Sequence, residues 1–104
     1  MRRAAVVQYR TSADSAEHNR NLIEDILIEL GTCDPGGVDY QVFEFEDGVG
    51  FLHLAVFDGT TDPFADCGAH REFHRELQHR LAAPPITNRA VLIGSYFGSR
   101  RGDA

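Results

Sequence analysis

The residues best suited to chemistry lie in and beside one apolar run. His53 sits in GFLHLAVF, residues 50–57, with Phe51 and Ala55 two positions to either side. A run rich in aromatic and branched residues reads as a strand, and side chains two apart share a face. The preceding Asp47-Gly48 is a strong signal for a two-residue hairpin turn, so DYQVFEFE, residues 39–46, forms the facing strand. A tight turn fixes the parity of pairing and puts Glu44 on the His53 face, directly opposite or one pair away. A carboxylate beside an imidazole raises its pKa and orients its ring. His53 and Glu44 are therefore the candidate catalytic pair, as general base and orienting group. The same pair would equally serve as a satisfied buried contact or a contact across a seam.

Other polar strand residues could complete a ligand site. Gln8, Arg10 and Tyr96 are the others on strands, and if Gln8 and Arg10 share the His53 face, an amide, a cation and an imidazole converge there, which suits a small anionic or phenolic ligand. Tyr40 and Phe51, on that face by parity, would supply aromatic walls. The faces of the first and fourth strands stay open, because both alternations are mixed. Arg10 at a strand end in water and Tyr96 in the core is the competing arrangement. Cys67, His70 and His74 fall on one helical side at spacings of three and four, as metal ligands can. No fourth ligand is evident and His70 falls amid Phe73, Leu77 and Leu81, so no metal site is expected. Arg101-Gly102-Asp103 in a polar tail is taken as chance.

These residues need elements to hold them. AAVVQYR, residues 4–10, reads as the first strand. Asp14 and Glu17 suggest a capping box, and Leu22, Ile23, Ile26, Leu27 and Leu30 form a helical stripe ended by Gly31. The hairpin supplies strands two and three. Asp62-Pro63 starts a second helix that becomes regular near Cys67, with Phe73, Leu77 and Leu81 as its stripe. Pro84-Pro85 ends it, and residues 89–97 are predicted as the fourth strand. The order is βαββαβ, a ferredoxin-like α+β fold with two helices on one face of a four-stranded antiparallel sheet. One domain is expected over residues 1–98, with a disordered tail at 99–104.

Hairpin parity divides the strands into two sets. Gln41, Phe43, Phe45, Leu52, Leu54 and Val56 are expected under the helices. Tyr40, Val42, Glu44, Phe51, His53, Ala55 and Phe57 form the other face, which is too apolar for water. Two helices cannot cover both, so a second copy, a partner or a ligand must.

Composition excludes several classes. The chain has 104 residues and a formal net charge of −6. No basic footprint for nucleic acid is visible. All 10 basic residues are arginine, so no lysine Schiff base can form. No apolar run approaches the roughly 20 residues of a membrane helix, and the start lacks the features of a signal peptide. A cytoplasmic protein with reduced Cys33 and Cys67 is expected, although the fold leaves a bond between them open.

With these elements the chain resembles the dimeric α+β barrel superfamily, and within it the antibiotic-biosynthesis-monooxygenase-like proteins. DGVGFLHLAVF (residues 47–57), Pro84-Pro85 and IGSYF (residues 93–97) carry the likeness locally. The resemblance implies a homodimer packed sheet against sheet and a cavity within each protomer. It further implies cofactor-independent oxidation of small phenolic compounds, with His53 as base, Glu44 as its orienter, and Arg10 or Tyr96 on the anion. The Asn-Trp-His set of haem-degrading relatives cannot carry over, since the chain has no tryptophan. Equally open are a non-catalytic small-molecule binder or dimerisation domain on the same fold, and a module that pairs with a different chain.

Overall fold

Alternating side chains in the first strand decide which way the sheet faces. The computed structural model describes residues 2–98. Its elements are β1 (Arg3–Arg10), a 3-10 turn (Ala13–Ser15), α1 (Ala16–Cys33), β2 (Val38–Glu44), β3 (Gly50–Phe57), α2 (Gly68–Arg75), α3 (Leu77–Arg80) and β4 (Ile86–Val91). The sheet is antiparallel in the order β2-β3-β1-β4, the ferredoxin-like α+β arrangement. In β1, Ala5, Val7 and Tyr9 stand opposite Ala55, His53 and Phe51. In β2, Tyr40 and Val42 stand opposite Ala55 and His53. This is the face the helices cover.

The division of the hairpin into two sets therefore holds, but the set under the helices is the reverse of the one expected. Tyr9, Ile23, Ile26, Phe51, Cys67 and Phe73 form the buried core. The expectation counted His53 and Glu44 against this face because they are polar. Both costs vanish in the fold. His53 is hydrogen bonded at both ring nitrogens, and Glu44, at the end of β2, reaches out to Arg20 of α1 at 3.1 Å. A buried polar group costs little when its bonds are made.

The hairpin turn is built by Asp47, whose Oδ1 accepts the N–H groups of Val49 and Gly50 at 3.0 Å each. Gly48 takes φ 77° there, a value costly for a residue with a Cβ. The ends of α1 differ from those expected. Neither Ser12 nor Ser15 makes a side-chain cap, and the helix starts through the 3-10 turn instead of an Asp14–Glu17 box. It runs past Gly31 to Asp34, which is left-handed at φ 45° and donates its N–H to Leu30 O. The α2 N-terminus is capped from a distance, as the Glu29 carboxylate accepts from Gly68 N and Ala69 N at 2.9 Å each.

The fourth strand lies earlier than expected. It starts directly after Pro84-Pro85 and ends at Val91, which pairs with Arg3, the first residue of β1, with one further backbone bond from Leu92 N to Arg2 O at 2.7 Å. Beyond Leu92 the chain leaves the sheet, and Ile93, Tyr96 and Phe97 are exposed. Cys33 and Cys67 are free thiols, one exposed and one buried. No helix among the described residues is long and apolar enough to cross a membrane. The tail 99–104, with Arg101-Gly102-Asp103, lies outside the described residues.

Candidate functional site

The loop before α2, α2 itself and the start of α3 roof the sheet above Val7 and His53, and a gap remains. It is a cavity of about 210 Å³ walled by Val7, Phe57, Phe64, Phe73 and Leu77, with Tyr9, Tyr40, His53, His70 and His74 as its polar side chains. The helical periodicity of α2 brings His70, Phe73 and His74 to one side, and Leu77 joins them from the start of α3. A mostly apolar cavity with a few convergent polar groups is the usual form of a small-molecule site.

His53 is its polar centre. Its Nε2 lies 2.7 Å from the Tyr9 hydroxyl and its Nδ1 lies 2.7 Å from the Tyr40 hydroxyl. Behind Tyr9 the bonds continue into the core. Asn19 Nδ2 donates to the Tyr9 hydroxyl at 2.9 Å, and Arg80 Nε donates to Asn19 Oδ1 at 2.9 Å. Arg80 also donates to Phe73 O at 2.9 Å, with its guanidinium 4.8 Å from the centre of the Phe73 ring. Asn19 is 0% exposed and Arg80 4%. Backbone bonds from Ser12 N to Arg80 O and from Ala82 N to Arg10 O pin the end of α3 to the end of β1, which holds Arg80 above Tyr9. Among the described residues no carboxylate forms an ion pair with Arg80.

Burial dominates the electrostatics. It pushes His53 down to about 4, helped by His74 and His70, so the ring is neutral at pH 7. This overturns the expectation of a pKa raised by Glu44. His70 is likewise pushed down to about 4 by burial and then by His74. His74 is lowered by burial and then by Arg80. Burial raises Tyr9 to about 12, against opposing contributions from Asn19 and Arg80. Tyr40 is raised by burial, with Tyr9 and Cys67 adding to it. The cavity therefore holds neutral imidazoles and protonated phenols at pH 7.

Of the expected site residues, the fold brings together His53 and Tyr40. Glu44 is paired with Arg20 instead of His53. Gln8 and Arg10 lie on the opposite face, both exposed, because they alternate with Tyr9; Arg10 is paired with Asp47 at 2.7 Å. Tyr96, past the end of β4, is 90% exposed. Phe51 is packed beneath the site, with its ring stacked on Tyr9 at 5.6 Å. Cys67 is in the core and His70 packs on Phe64 at 4.4 Å. Among the described residues no group of three His, Cys, Asp or Glu side chains could hold a metal ion.

Tyr9, Asn19 and Arg80 were not singled out from sequence, and each carried a readable signal. Ala5-Val7-Tyr9 is the more apolar alternate of β1, against Gln8 and Arg10. Asn19 extends the Leu22, Ile23 and Ile26 stripe by one turn. Arg80 falls three residues after Leu77, on the stripe of the second helix.

No family model and no curated protein matches the sequence. Solved structures match its fold over nearly the whole chain. Rv0793 from Mycobacterium tuberculosis superposes with a TM-score of 0.72 at 12% identity, covering 91% of this chain and 98% of that one. The ActVA-Orf6 monooxygenase of Streptomyces coelicolor, solved with the ligand nanaomycin D, gives 0.64 at 16% identity over 94% and 93%. A dimeric ferredoxin-like protein from an uncultured marine organism gives 0.66 at 9% identity over 94% and 93%. The chain has the fold of the antibiotic-biosynthesis-monooxygenase-like proteins. On that monooxygenase-like fold, the cavity of this chain lies between sheet and helices, with its polar centre on β1, β2 and β3.

Proposed function

We propose that the protein is a cytoplasmic homodimer, one ferredoxin-like domain per protomer, that oxidises a small aromatic or phenolic compound with molecular oxygen and no cofactor. The observation that carries this reading is a mostly apolar, aromatic-lined cavity holding neutral imidazoles beside a tyrosine hydroxyl. In such a reaction a base removes the phenolic proton, and the electron-rich ring reduces oxygen and forms a C–O bond at carbon. Loss of water from the hydroperoxide then leaves a quinone. One phenol and one O₂ give one quinone and one water. The protein supplies a water-poor site, a proton acceptor and donors for the anion.

His53 cannot take that proton directly, because both its nitrogens are engaged by tyrosines. It acts by holding Tyr40. The imidazoles turned to the cavity without a hydrogen bond to another described residue are His70 and His74. His74 is the more exposed and is assigned as the acceptor. Magnitudes narrow the substrate further. Burial and then Arg80 hold the His74 pKa below that of an ordinary imidazole, so proton transfer to it from an ordinary phenol of pKa about 10 is strongly uphill. A phenol acidified by a conjugated carbonyl suits the site better. The cavity, below the roughly 300 Å³ of drug-sized sites, favours one or two rings.

The homodimer is supported by the open face, where Phe43 and Ile86 are 49% and 60% exposed beside Leu52 and Leu54. Free thiols at Cys33 and Cys67 suit a reducing compartment. Oxygen uptake by metal-free protein with 6-hydroxy-1-tetralone, and with 1-naphthol as the phenol that lacks the carbonyl, tests the reaction. Uptake lost in His74→Ala is expected. Tight binding of these compounds with no uptake above buffer would instead make the protein a non-catalytic binder.

A further inference from the structure

The hydrogen bonds around His53 run in one direction, and a buried cation sets it. Arg80 can only donate, so Asn19 must turn its Oδ1 toward it, and Nδ2 is left to donate to the Tyr9 oxygen. Tyr9 is 3% exposed, and among the described residues its hydroxyl meets only Asn19 and His53. Its own proton has one acceptor available, His53 Nε2. A neutral imidazole carries one proton, so Nε2 as acceptor puts that proton on Nδ1. Nδ1 then donates to the Tyr40 oxygen. The opposite order would leave the Tyr9 proton buried without an acceptor, which costs about 1–3 kcal/mol. Tyr40 is only half-buried and lines the cavity, so a proton left over there meets a ligand or water.

We infer that Tyr40 presents its hydroxyl proton to the cavity, and that the site holds a small aromatic ligand by an acceptor oxygen, with Asn19 and Arg80 as the positioning residues that set this polarity. The inference deepens the proposed function by naming the ligand atom, and rests on it only in placing the substrate in this cavity. A carbonyl conjugated to the aromatic ring is the acceptor that fits. It takes the Tyr40 proton, and the phenol it acidifies faces the His74 side.

Two measurements test this without turnover. Two-bond ¹H–¹⁵N spectra of imidazole-labelled protein read the His53 tautomer directly. The expected result is a proton on Nδ1. Asn19→Asp keeps the size of the side chain and its bond to Arg80, but puts a pure acceptor against Tyr9. The chain of bonds should reverse, moving the His53 proton to Nε2 and turning the Tyr40 proton toward His53. The second measurement compares 1-tetralone with tetralin, which share a skeleton and differ by the carbonyl oxygen. Wild type should bind the ketone about tenfold more tightly, the worth of one hydrogen bond. Asn19→Asp and Tyr40→Phe should each abolish that preference while retaining tetralin affinity. A wild-type proton on Nε2, or equal binding of the two probes, overturns the inference. So does failure of both to bind. A correct tautomer and ketone preference without oxygen uptake would leave the polarity standing and remove the monooxygenase reading, while uptake with the wrong tautomer would do the reverse.

Discussion

The two faces of the sheet are made by the same strands, from residues one position apart, and they answer different physical demands. On the covered face, Tyr9, Tyr40 and His53 are polar groups taken out of water. They are tolerated because each bonds the next, and Asn19 and Arg80 complete the set from the helices; no buried side-chain nitrogen or oxygen among the described residues lacks a partner. On the open face, Phe43, Leu52, Leu54 and Ile86 leave apolar surface without a helix above it, while Gln8, Gln41 and Arg10 remain in water. One face has covered its polar groups and the other has uncovered its apolar ones. Polarity counted residue by residue thus misjudges which face is inside. A buried polar residue is judged by its bonds, and an exposed apolar one by what can cover it.

The sharpest way to break the covered face is Phe73→Ala. Phe73 is 1% exposed, packs in the core and carries both the carbonyl and the ring that hold Arg80. A loss of about 3–5 kcal/mol is expected in urea denaturation. A loss below about 1 kcal/mol would mean that α2 does not close this face.

Acid should weaken the covered face next. The folded His53 resists protonation until about pH 4, whereas in the unfolded chain it takes a proton near pH 6.5. Between those values the unfolded state binds more protons, so stability falls as pH drops from 6.5 toward 4, by on the order of 3 kcal/mol from His53. His70, about half-buried and shifted the same way, adds in the same direction. Urea midpoints followed from pH 7 to pH 4 check this, and a flat profile through that window would contradict a neutral buried His53.

The open face should respond differently. Phe43→Glu removes apolar surface from a residue that is 49% exposed, so protomer stability at high dilution should change by no more than about 0.5 kcal/mol. Its solution mass, read by light scattering across concentration, should fall from dimer to monomer. A wild type that is monomeric at every concentration would remove the second copy as the cover.

The most local effect belongs to Glu44→Gln. Its ion pair with Arg20 is half-exposed, and such pairs contribute about 0.2–1 kcal/mol. The His53 spectrum should be unchanged by it. A changed His53 tautomer or pKa would restore Glu44 as a partner of His53 and undo the distinction between a face held by Tyr9 and Tyr40 and an edge held by ion pairs.

How far the sequence alone reaches is set by the range of the interactions involved. Element order, hairpin register and the stripes of the helices follow from local rules, so the ferredoxin-like fold and the parity grouping of Tyr40, Phe51 and His53 were legible. So was an apolar face in excess of what two helices can cover. The end of β4 was not, because it is decided by the length of β1 across the ladder. Nor was the partner of His53. Glu44 was the nearest carboxylate along the hairpin, yet the ring bonds Tyr9, 44 residues away in sequence. Arg80 reaches Asn19 across 61 residues. Local spacing determines which side chains share a face. Which of them exclude water together, and in which direction their protons point, is decided when the helices close over the sheet.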